Sequence, residues 1–137
     1  MTPPTTRKVL VALAAAMLAV ALAPGPSLAT HQYVKAKRVG PGDFKWRDSE
    51  TNTATTHLLS TPHRFKFKNP RNGVRHDVVF YRQPSGASVS DIDNLRPGET
   101  KRRRIPRGGW YKYRCTIHSG FNQNGACQGM CGRIRAH

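Results

Sequence analysis

The chain has 137 residues, with 23 Lys and Arg against 7 Asp and Glu, for a formal net charge of +16. That length fits one domain, and the basic excess points to acidic or polyanionic partners. Only 33 of residues 30–137 are apolar, which is lean for a self-sufficient core and leaves room for a stabilising metal or disulfide.

Arg7 and Lys8 precede an almost uninterrupted apolar run, Val9 to Ala23, which Pro24-Gly25-Pro26 breaks before Ser27-Leu28-Ala29. Residues 1–29 read as a secretory signal peptide with a small-x-small cleavage pattern. The run is short for the ~20 residues of a bilayer span. Residues 30–137 are then one folded domain, exported to the periplasm or extracellular space, without stable membrane insertion. Loss of Arg7 and Lys8 lowers the charge from +16 to +14.

No helical periodicity of useful length follows residue 30. Short alternating runs are separated by Pro, Gly, Asn and Asp instead, which predicts an all-β chain. Phe44 to Arg47 is one such run, and Asp48 to Thr56 reads as a polar loop. Arg64 to Lys68 alternates cleanly and stops at the turn Asn69-Pro70-Arg71-Asn72-Gly73. Val74 to Tyr81 reads as a strand buried on both faces, Gln83 to Val89 as a loop, and Arg96-Pro97-Gly98 as a turn. Glu99 to Ile105 and Trp110 to Cys115 are expected to form a hairpin. Tyr111, Tyr113 and Cys115 then share one face, with Lys112 and Arg114 on the other. Gly132 to Ala136 is the last expected strand. This spacing of strands and turns predicts a β-sandwich.

Three cysteines in an exported chain leave one thiol over, and export favours pairing the other two. The economical assignment is a Cys127–Cys131 disulfide with Cys115 free, although the sequence leaves pairings through Cys115 open. Cys115 is followed three residues later by His118, and His76 opens His-Asp-Val-Val-Phe about 40 residues upstream. Met130 follows in Gly-Met-Cys-Gly. A thiolate, two imidazoles and a thioether suit a copper ion that changes oxidation state. His57, His63 and His137 have no partner at ligand spacing. His31 would become the second residue after cleavage, where a terminal amine beside an imidazole can hold Cu(II).

The order His, Cys-x2-His, Met, with the Cys ending an alternating strand, resembles the cupredoxin family of blue, type 1 copper proteins related to plastocyanin and azurin. The resemblance covers most of residues 33–137. It implies a Greek-key β-sandwich, one copper ion held by His76, Cys115, His118 and Met130, and transfer of single electrons rather than catalysis. It further implies that Asp77 hydrogen-bonds near Thr116 and that the His118 imidazole reaches the surface as the electron port. Eleven residues, Ser119 to Gly129, separate His118 from Met130, more than in many relatives. Gln123 and Gln128 are the alternative oxygen donors.

Lys101-Arg102-Arg103-Arg104, with Arg107 nearby, reads either as a solvated strand edge or as a docking element for acidic redox proteins or a polyanionic envelope. No motif for nucleic-acid recognition accompanies it. The expected protein is a monomeric electron carrier. A copper-delivery protein using the same ligands and a metal-free cationic binding module are the alternatives.

Overall fold

The computed structural model describes residues 32–71 and 73–137. The expected signal peptide and His31 lie outside the described residues. Among the described residues, nine strands form two sheets. One has the order β2 (Asp43–Asp48), β1 (Tyr33–Gly40), β4 (His63–Lys68) and β7 (Thr100–Ile105). The other has the order β3 (Thr55–Leu58), β9 (Cys127–Ala136), β8 (Gly109–Phe121), β5 (His76–Arg82) and β6 (Ile92–Leu95). Neighbours pair antiparallel except β1 with β4 and β3 with β9, which run parallel. The result is the expected Greek-key β-sandwich.

Alternation along each strand sends one set of side chains between the sheets. Trp46, Phe65 and Phe67 enter from the four-stranded sheet and Val78, Tyr111, Tyr113 and Ile134 from the five-stranded one, all fully buried. Their rings meet edge-on, with centroids 5.9 Å apart for Trp46 and Phe67 and 5.2 Å for Phe67 and Tyr113. Such pairs each contribute about 0.5–1.5 kcal/mol beyond area burial, which matters in a chain lean in aliphatic residues. Gly132 makes room for this layer. A Cβ there would lie 2.4 Å from the Tyr113 hydroxyl.

The expected hairpin of residues 99–115 does not form. β7 pairs with β4, and β8 lies between β5 and β9 in the opposite sheet, so residues 106–108 cross from one sheet to the other. Alternation identifies which face of a strand is buried but not its neighbour. β1, β3 and β6 also form, beyond the strands that the alternating runs predict.

The segment between His118 and Met130 is a hairpin rather than an open loop. β8 continues to Phe121, the chain turns over residues 122–126, and β9 returns from Cys127. The Asn122 side chain accepts from the Asn124 and Ala126 amides at 3.0 and 2.8 Å. This is the local bonding by which Asn initiates a turn.

Candidate metal centre

His76 begins β5, whereas Cys115 and His118 lie in the middle of β8. The β8–β9 pairing shifts between these positions. Arg114 faces Cys131 and Ser119 faces Gly129, so Cys115, Thr116, Ile117 and His118 together oppose Met130 alone. This wide bulge breaks the strict alternation of β8 and lets a thiol and an imidazole three residues apart approach the same place. Ser119 Oγ donates to the Cys115 carbonyl at 2.6 Å and holds the bulge from its own strand.

Gly129 allows the two strands to close around it. Its φ is +84°, and a Cβ would lie 2.3 Å from the His118 carbonyl oxygen. This glycine is the point of closest approach of β9 to a candidate ligand. A glycine preceding Met130 was the available signal, and the bulge that gives it meaning is a tertiary feature.

Cys115 Sγ lies 3.4 Å from His118 Nδ1 and 3.7 Å from His76 Nδ1, and the two nitrogens are 3.2 Å apart. Cys115 and His76 are fully buried and His118 is half-buried. A point equidistant from all three atoms lies about 2.0 Å from each, from the three separations, the length of a first-row metal–imidazole bond. The donor set therefore fits a metal in both chemistry and size. A His2Cys group with a weak thioether beyond it suits copper. Met130 is fully buried opposite the bulge.

Asp77 ties the two ligand segments together. Its carboxylate accepts the Thr116 amide at 2.6 Å and also the Thr116 hydroxyl. Phe44, which the alternation of β2 identifies only as a strand residue, forms a wall against both imidazoles, with centroids 5.1 Å from His76 and 4.8 Å from His118. Trp46 meets His76 at 5.9 Å. The Phe-Lys-Trp alternation was legible as one apolar face, but its position over the histidines was not.

Burial lowers the His76 imidazole to about 4, the nearby His118 adds to the effect, and the Asp77 charge opposes it. Burial likewise lowers His118 against the pull of Asp77. Burial pushes the Cys115 thiol above its ordinary value; a hydrogen bond from the Asp77 amide opposes this, and the Asp77 charge reinforces it. Without metal, both rings are neutral near pH 7 and the thiol keeps its proton.

Cys127 and Cys131 form a disulfide, and Cys115 is free. The bridge lies within β9 and spans Gln128, Gly129 and Met130. His57 and His63 lie on β3 and β4, outside the cluster.

No protein-family model matches the sequence, and no curated protein matches it significantly. Solved structures do. A reduced Cu(I) form of an amicyanin variant superposes with a TM-score of 0.52 at 17% identity, over 77% of this chain and 80% of that one. An oxidised amicyanin variant gives 0.52 at 16% identity over the same shares.

The chain has the cupredoxin fold.

Within that fold, the three donor atoms lie at one end of the sandwich, where β5 and β8 approach β2. β5 contributes His76 and β8 contributes Cys115 and His118, with Met130 of β9 buried opposite the bulge.

Proposed function

We propose that this chain is an exported, mononuclear copper protein that carries single electrons between redox partners. The observation that carries the reading is the buried triangle of Cys115 Sγ, His76 Nδ1 and His118 Nδ1, whose size and donor chemistry suit one copper ion. Met130, buried opposite the bulge, would complete the set as a weak thioether ligand. The amicyanin structures of the same fold include reduced Cu(I) and oxidised forms, which supports a one-electron role.

Copper held there would supply a Cu(II)/Cu(I) couple. The protein's own contribution is rigidity. Asp77 fixes the residue after Cys115, Phe44 and Trp46 brace the rings, and the Gly129 backbone holds His118 against β9. Ligands fixed in this way need little rearrangement when the metal charge changes. Cys115 and His76 exclude water, while the half-buried His118 gives a partner its shortest approach. That difference in exposure favours an electron carrier over a copper-delivery protein, which needs its metal accessible for exchange.

The test is an optical spectrum of the Cu(II)-loaded protein with a titration of its potential. Intense thiolate-to-copper absorption, lost in Cys115→Ser and retained in His57→Ala, together with reversible reduction, is expected. A colourless protein carrying stoichiometric Cu(II) would overturn the assignment.

A further inference from the structure

The outer face of the four-stranded sheet carries an ordered array of cations. In β7, the side chains of the basic run point in two directions. Lys101 and Arg103 turn towards β6, where Lys101 donates to the Asn94 carbonyl and Arg103 to the Ser90 and Asp91 carbonyls. Arg102 and Arg104 are exposed on the outer face.

Register places them in rows across the sheet. Arg104 faces Arg64, and Arg102 faces Lys66, which pairs on its other side with Tyr33. Lys68 pairs with Lys35, which faces Arg47. Lys37 faces Lys45. Nine cations thus share one face, at the strand spacing of ~4.8 Å across and ~7 Å along. The acid in register with them, Asp43, sits at the end of β2 and already pairs with Lys45 at 3.2 Å.

Like charges directly opposite one another destabilise a sheet. A face serving only solubility would mix both signs. Here the cost is repeated at Arg64–Arg104, Lys66–Arg102, Lys35–Arg47 and Lys37–Lys45. On the five-stranded sheet, by contrast, Arg133 and Arg135 lie over the Trp110 ring. A protein interface would centre on desolvated aromatic and aliphatic anchors, and Tyr33 is the one aromatic group on the cationic face. A regular array of long cationic side chains instead matches a flexible chain with a negative charge every few ångströms.

We propose that this face binds a linear polyanion of the phosphate-polymer type, holding the protein to an anionic matrix. The opposite side of the same sheet contributes Phe44 and Trp46 to the core, so the polymer would lie on the side of that sheet facing away from His76 and Cys115. The inference does not depend on the metal.

The test is binding of long-chain inorganic polyphosphate to the purified protein over a series of salt concentrations. Two variants that lose the same charge are compared with wild type. One combines Arg64→Gln, Lys66→Gln, Arg102→Gln and Arg104→Gln; the other combines Arg82→Gln, Lys112→Gln, Arg133→Gln and Arg135→Gln on the opposite sheet. The first should bind at least tenfold more weakly at low salt than the second. Its slope of log affinity against log salt should be shallower than that of wild type by about 3, the counterions released by four phosphate contacts. Without polyanion its melting temperature should rise, because two like-charge pairs are gone, and polyphosphate should stabilise it less than it stabilises wild type. Equal loss in both variants would reduce the effect to net charge and overturn the proposal. Tighter binding to phosphatidylglycerol vesicles than to polyphosphate at equal phosphate, lost in the first variant, would assign the face to a membrane surface and overturn it equally.

Discussion

Asp77 holds Thr116 by both its amide and its hydroxyl, so the residues following His76 and Cys115 in sequence are joined across the gap between β5 and β8. One carboxylate thereby sets the distance between two candidate metal ligands on different strands. Asp77→Ala should leave the sandwich intact at a cost of about 1.5–3 kcal/mol, since the charged acceptor of two hydrogen bonds is lost. Its copper spectrum should broaden and its potential move. Thr116→Val removes only the hydroxyl bond and should show a smaller change of the same kind. Equal potentials in wild type and Asp77→Ala would show that the tie does not position the ligands.

Met130 opposes the β8 bulge and is bracketed by the disulfide. Met130→Leu preserves volume and should cost less than about 1.5 kcal/mol, while shifting the potential and the charge-transfer bands of the copper form. Replacing Cys127 and Cys131 together by Ser should shift the same bands, because the bridge holds the strand that carries the thioether. If Met130→Leu changes neither potential nor spectrum, Met130 is a core residue only.

Proton release on copper uptake follows from the site's electrostatics. The thiol is pushed up and both imidazoles down, so at pH 7 binding should expel about one proton, that of Cys115. Calorimetry in buffers of different ionisation enthalpy measures the number. As pH falls from 6.5 to about 4, the unfolded chain takes up a proton that folded His76 refuses. The metal-free protein should therefore lose stability through that window. A flat melting temperature between those limits would contradict the role of burial at His76.

Asp48 anchors the turn that follows β2. Burial raises its carboxyl, but donors from the Thr51 amide, the Thr56 hydroxyl, the Glu50 amide and the Thr51 hydroxyl outweigh burial and hold it below 3.8. A carboxylate depressed on folding stabilises the protein above its unfolded value, and that contribution is lost as pH falls through the folded one. Asp48→Asn should cost about 2–3 kcal/mol at neutral pH and much less in strong acid. Urea midpoints at pH 7 and pH 3 give the comparison.

The sequence by itself singled out three candidate donors that the fold brings together, because Cys115, His118 and His76 carry a chemistry that few other arrangements share. It also determined the buried face of β8, since alternation of Tyr111, Tyr113 and Cys115 is a local property of an extended chain. Strand partners were not legible: β7 and β8 each alternate correctly, yet they belong to different sheets, because pairing is decided by which faces must meet in the core. The two directions of the Lys101–Arg104 run became visible only with that pairing, and with them the cation rows built from β1, β2, β4 and β7. The bulge was likewise a tertiary outcome. Four residues of β8 set against Met130 form where Gly129 passes the His118 carbonyl, and this close approach of two backbones distant in sequence has no local signature.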